Sequence, residues 1–148
     1  MKRRVLFLCT GNSARSQMAE GWLRHLAGDQ YDVYSAGTEP KGQVHPLAVW
    51  VMAEAEVDIS AQRPKSLRSF VGKPWDFIIT VCDRAKEQCP IFPRDHVQIH
   101  WSFDDPAAAT GTADEQRLVF RRVSGEIRQR IQLFVQAQAH QSVGERVW

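Results

Sequence analysis

The segment Cys9-Thr10-Gly11-Asn12-Ser13-Ala14-Arg15-Ser16 sets a thiol and a guanidinium at either end of a short turn, directly after the apolar run Val5-Leu6-Phe7-Leu8. A turn of this kind between a strand and a helix gathers backbone N–H groups and the positive end of a helix dipole around one point, which suits a tetrahedral oxyanion. Cys9 at the floor of such a cradle is expected to ionise, because positive potential favours thiolate over thiol. Gly11 allows close backbone approach and a positive φ, and Asn12 tolerates a left-handed conformation while its side chain ties neighbouring loops together. Thr10, Ser13 and Ala14 complete the turn, the last two with their N–H groups. Arg15 offers a planar fork that matches two oxygens of the anion. Ser16 is placed to cap the following helix and to donate its hydroxyl to the thiolate. Thr10 to Ser16 is therefore the expected oxyanion-binding set. A lone Cys-x5-Arg arises by chance, and its bland reading is an inert buried cysteine beside a surface arginine. Here the pair ends a strand, contains Gly-Asn-Ser and opens an amphipathic helix, which favours chemistry.

The elements that must position this turn follow from apolar spacing. Val5 to Cys9 reads as a strand covered on both faces. Ser16 to Leu26 carries Ala19, Trp22, Leu23 and Leu26 at helical spacing, with Gly28 as a stop. Tyr31 to Ser35 predicts a second strand, and Pro46 begins a helix reaching about Ala55. Ser66 to Val71 predicts a short helix, Trp75 to Cys82 the strongest strand, and Val97 to Trp101 a shorter one. From Ala113 to about Gln138, Phe120, Val123, Ile127, Ile131 and Phe134 recur at i, i+3, i+4 in a long amphipathic helix. Strands alternating with helices predict an α/β fold, a three-layer sandwich around a parallel sheet. No linker, repeat or low-complexity tract divides residues 1–148, so one domain is expected.

Bulk composition narrows the class. The 148 residues are 43% hydrophobic and 24% charged, ordinary for a globular chain. A net charge of +2 is too small to argue for nucleic acid. The three cysteines, an odd number, do not make a secreted disulfide framework. Met1-Lys2-Arg3-Arg4 is basic, but the apolar run behind it is too short for a signal peptide, and no run is long enough for a membrane span. The expectation is a cytoplasmic monomer whose thiols are kept reduced.

At this point Cys9 to Glu20 resembles the arsenate reductases built on the low-molecular-weight protein tyrosine phosphatase fold. The resemblance continues in Tyr34-Ser35-Ala36-Gly37, in Val81-Cys82-Asp83 with Cys89-Pro90, and in His100-Trp101-Ser102-Phe103-Asp104-Asp105-Pro106-Ala107. It implies a four-stranded parallel sheet flanked by helices, with the anion loop after the first strand.

Cys82 and Cys89 make a poor zinc site, because their spacing exceeds the usual one, and the His96/His100 pair reads as incidental. As a redox pair they are more informative. At the ends of a helix over 82–89 they would share a face yet lie about 10.5 Å apart along the axis. A disulfide needs Cα atoms within about 7 Å, so bridging them must unwind the segment. The thioredoxin-coupled branch of the resembling family carries a cysteine pair at this spacing. Asp105-Pro106 taken alone is a turn; in the family's Asp-Pro-Ala context Asp105, rather than Asp104, matches a general acid.

The resemblance implies arsenate reduction in three thiol steps. Cys9 attacks arsenate held by Arg15 and the loop amides, Cys82 attacks Cys9, and Cys89 attacks Cys82. The final Cys82–Cys89 disulfide is reset by thioredoxin, or by glutaredoxin or a small thiol. No cofactor is needed. A tyrosine phosphatase would use Cys9, Arg15 and Asp105 alone, but Ala107, Ala108 and Ala109 offer no aromatic grip for a phosphotyrosine ring. A trithiol arsenite sensor would need three converging sulfurs and neither Arg15 nor Asp105. Some relatives have a further cysteine where this chain has Ala14. Some bind potassium through residues matching Asn12, Glu20 and Ser35 plus an acid. Here Pro64-Lys65-Ser66 stands in that region, and Lys65 can supply the cation itself, so no metal is expected.

Overall fold

The computed structural model describes residues 2–147, with side chains described through residue 139. Four strands, β1 (Arg3–Cys9), β2 (Tyr31–Gly37), β3 (Phe77–Thr80) and β4 (Val97–His100), form one parallel sheet in the order β2-β1-β3-β4. Between and after them run α1 (Arg15–Ala27), α2 (Pro46–Glu54), α3 (Asp83–Gln88) and α4 (Ala113–Val147). This is the α/β architecture expected.

Period-two alternation sorts the strand residues between two cores. Val5, Phe7 and Cys9 join Phe77 and Ile79 on the face covered by α1, α2 and α4, where Met18, Trp22, Leu23, Phe120, Ile127 and Ile131 are buried. Leu6, Leu8 and Ile78 face a smaller cluster of Leu67, Phe70, Trp75 and Phe92. That second face is closed mostly by irregular chain rather than by long helices.

Three boundaries differ from expectation. The strand expected over Trp75 to Cys82 contracts to Phe77–Thr80, because Trp75 leaves the ladder and its indole N–H donates to the Phe70 carbonyl at 2.9 Å. The helix expected over Ser66 to Val71 is one 3-10 turn, Leu67–Ser69, capped by the Ser66 hydroxyl. The last helix outruns Gln138, since its backbone bonds continue past the apolar stripe. Among the described residues no helix is long and apolar enough to cross a membrane.

The sheet order decides where the chemistry sits. β1 lies between β2 and β3, so its carboxyl end is the point where connections diverge to either side and a crevice opens. Leu8 pairs with Thr80, so the chain beyond β3 emerges beside Cys9.

Candidate active site

The turn after β1 is held by bonds to its carbonyls and by one side chain. A second loop clamps it: Thr38, Glu39, Lys41 and His45 donate backbone N–H groups to the carbonyls of Cys9, Thr10, Gly11 and Ser13 at 3.2, 2.9, 2.9 and 2.8 Å. In planar trans peptides the N–H following each of these carbonyls faces away from the clamp. Gly37, at the start of the clamp, is packed so closely that an added Cβ would stand 2.5 Å from the Thr10 carbonyl oxygen.

Asn12 is the side-chain tie. It is fully buried and adopts φ of 48°, the left-handed conformation expected, whereas Gly11 does not take the positive φ expected of it, because Asn12 alone makes the left-handed step of the turn. Its Nδ2 donates to Ser16 Oγ at 2.8 Å and to Ser35 Oγ at 2.9 Å, while its Oδ1 accepts from the Lys65 amide at 2.9 Å. Ser35 in turn donates to Glu20 at 2.6 Å. The buried Glu20 carboxylate meets Arg24 at 2.9 Å and Lys65 Nζ at 3.7 Å, so Lys65 does bring a cation to this hub. Burial is the main effect on the Lys65 ammonium and pushes its pKa down. Gln17 had no role in the sequence reading, yet it is fully buried and donates to the carbonyls of Asn12 and Arg63.

Ser16 does not cap α1. Ala14 occupies the cap position, with no side-chain hydrogen bond, and Ser16 lies inside the first turn as an acceptor for Asn12. The reason is geometric: the tie to Asn12 turns the Ser16 hydroxyl toward β2. The first-turn N–H groups of α1 are left without a side-chain cap, as an anion site requires.

A cleft of about 510 Å³ opens over the turn, lined by Cys9, Thr10, Gly11, Ser13, Ala14 and Arg15 from below and by Cys82, Phe103, Asp105 and Ala107 from the sides. Arg15 donates from Nη1 to the Phe103 carbonyl at 3.0 Å, and its Nη2 stands 3.9 Å from Asp105. That carbonyl had no signal in the sequence, because any residue type supplies it. Asp105 accepts from the Ala107 amide at 3.0 Å, so the turn-forming role and a place on the cleft wall coexist. Asp104 points elsewhere, to Arg122 at 3.2 Å. Glu39, Lys41 and Arg84 form the rim.

Cys82 stands beside Cys9 and caps α3, its sulfur accepting from the Ala85 amide at 3.4 Å and contacting Thr10 Oγ1 at 3.4 Å. The thiolate expected on Cys9 falls on Cys82 instead, because Cys9 is buried and acts as the donor of the pair. Their mutual interaction is the largest effect on both, pulling Cys82 down to about 5 and pushing Cys9 up, while the Arg15 charge favours the thiolate on either sulfur. The pair thus readily carries one negative charge but resists a second. Cys89 sits at the far end of α3, half-buried, and burial pushes its thiol up. The three sulfurs do not converge, contrary to what an arsenite sensor would need. His96 and His100 serve separate partners, Gln98 and Asp83.

Residues 4–144 match the low molecular weight phosphotyrosine protein phosphatase family. The chain is 47% identical over 135 residues to an arsenate reductase of Halalkalibacterium halodurans, covering 91% of this chain and 96% of that one. Among solved structures it is similar to an arsenate reductase in the phosphate binding state, with TM-score 0.73 and 29% identity over 91% of this chain and 98% of that one. It is also similar to a thioredoxin-dependent arsenate reductase of Corynebacterium glutamicum, with TM-score 0.63 and 31% identity over 89% of this chain and 63% of the other.

Proposed function

The chain belongs to the low molecular weight phosphotyrosine protein phosphatase family, and from that premise we propose that it is an arsenate reductase working through a three-cysteine relay, reset by thioredoxin in a reducing cytoplasm. The observation that carries this reading is the placement of Cys82 against Cys9 inside an oxyanion cleft, with Cys89 one short helix away.

Arsenate enters the turn and is held by the loop N–H groups and the Arg15 fork. Cys9 passes its proton to the Cys82 thiolate and attacks arsenic, forming an S–As bond, while an oxygen protonated by Asp105 leaves as water. Cys82 then attacks Cys9 Sγ. The S–As electron pair stays on arsenic, which departs as arsenite, two electrons richer, and a Cys9–Cys82 disulfide forms. The pair's one negative charge is used in the S–As bond, so Cys82 gives its own proton to an oxygen of the departing arsenite, with the Ala85 amide and Arg15 favouring its thiolate. Cys89 next attacks Cys82 Sγ and frees Cys9 as thiolate. The Cys82–Cys89 disulfide passes its oxidation to the external dithiol by exchange.

A phosphatase would need neither Cys82 nor Cys89, and the run Ala107-Ala108-Ala109 places no aromatic side chain after Asp105-Pro106. The test is arsenate-dependent NADPH oxidation with thioredoxin and thioredoxin reductase, run beside aryl phosphate hydrolysis. Turnover is expected with arsenate and should vanish in Cys82→Ser and Cys89→Ser. Hydrolysis of aryl phosphate alone, unaffected by either substitution, would overturn the reductase reading.

A further inference from the structure

The relay proposed above asks α3 to do two opposed things. Cys82 must stay beside Cys9 to receive the first disulfide, and Cys89, at the other end, must travel to Cys82. The contacts holding the two ends differ in a way that resolves this.

At the amino end Asp83, the residue after Cys82, accepts two hydrogen bonds on one oxygen: from His100 Nε2 at 2.9 Å and from Ser102 Oγ at 3.1 Å. These bonds hold the Asp83 carboxyl below the usual carboxylate range. An ionised carboxylate only accepts, so His100 Nε2 is the donor in its bond to Asp83. The partner of Nδ1 is the Thr80 hydroxyl at 2.7 Å. Thr80 is completely buried, ends β3, and is the cross-strand partner of His100. An unbroken chain of contacts therefore runs from the middle of the sheet through Thr80 and His100 to Asp83.

The two ends differ in what they connect to rather than in solvation, since the Asp83 side chain is itself 74% exposed. At the carboxyl end Thr38 donates to Gln88 at 3.3 Å, an exposed contact, whereas Arg84, which meets Glu39 at 3.5 Å, belongs to the amino end. Ala85 is the sole buried residue within α3. Six residues with one buried side chain have little packing to resist unwinding.

We propose that Asp83, held through His100 to Thr80, is the fixed pivot of the redox helix: it positions Cys82 against Cys9 while α3 unwinds from its Cys89 end. Asp83, which lines the cleft next to Cys82, and His100 are positioning residues that act through the backbone of Cys82. The inference rests on the relay reading.

The test isolates the first disulfide by using Cys89→Ser, which can release one arsenite per chain and no more. With Asp83→Ala added, rapid-quench arsenite release is expected to slow about fivefold, as for loss of a partly exposed hydrogen-bonded tether. The arsenate concentration giving half the maximal rate should not change. Asp83→Asn, which keeps an acceptor for both donors, should recover most of the rate. In the intact protein, the His100 ring ¹⁵N shifts should be the same in the reduced form and in the Cys82–Cys89 oxidised form. An unchanged release rate in Asp83→Ala overturns the pivot, as do failed recovery by Asn, which would point to a helix-terminus charge effect, and a His100 ring that titrates freely once oxidised. No arsenite burst in Cys89→Ser itself would instead refute the relay.

Discussion

Replacing Asn12 with Ala is expected to cost about 4 kcal/mol of stability and to weaken oxyanion binding. Three hydrogen bonds disappear, to Ser16, Ser35 and the Lys65 amide, all from a fully buried residue. Each such bond contributes about 1 kcal/mol net. Alanine must also take up φ of 48°, at an extra cost of about 1 kcal/mol. Glycine at the same position loses the bonds but not the backbone freedom, so Asn12→Gly should be about 1 kcal/mol less destabilising than Asn12→Ala. Urea unfolding of the three proteins, with unchanged m-values, measures the differences. Inhibition by inorganic phosphate reports on the cradle and should weaken in both variants. A loss under about 1 kcal/mol for Ala, or no difference between Ala and Gly, would refute the account of Asn12 as a strained tie whose three bonds hold the turn to α1, to β2 and to the Lys65 segment.

Other consequences follow from the same geometry. Alkylation of Cys82 should titrate near 5, and in Cys9→Ser the midpoint should move up, because the interaction with Cys9 is the largest effect lowering it. The Cys82 thiolate of the resting pair is present above the midpoint and lost as pH falls through it. An alkylation midpoint untouched by Cys9→Ser would show the two sulfurs to be independent. Exchanging sodium for potassium should leave thermal stability and turnover unchanged, since Lys65 already meets Glu20; a marked potassium gain in the unmodified protein would contradict this. Gly37→Ala should destabilise by about 1–3 kcal/mol and raise the phosphate inhibition constant, because the added Cβ meets backbone at 2.5 Å and the turn must shift. Equal phosphate affinity in that variant would separate the clamp from the cradle.

Part of this protein can be read from residue order alone, because the physics involved is local. Strand and helix periods, the thiol-to-guanidinium turn and the stop at Gly28 each depend on neighbours a few positions apart, and the expected α/β order is what forms. The left-handed Asn12 belongs here too, since few residue types tolerate that conformation. Ser16 shows where local reasoning ends. Its type and position suit a helix cap, but a side chain from the preceding turn reaches it first, and that competition is visible only in three dimensions. Trp75 likewise fits a strand by pattern and leaves it for a carbonyl offered by Phe70. The carbonyl of Phe103 that aims Arg15 leaves no trace in residue type at all. Most of all, sequence supplies three cysteines but not their distances. The parallel pairing of β1 with β3 brings Cys82 to Cys9 across more than seventy residues, and the helix between Cys82 and Cys89 keeps the third sulfur away. Side-chain chemistry is carried by the residue itself, whereas proximity is a property of the sheet order, and a relay needs both.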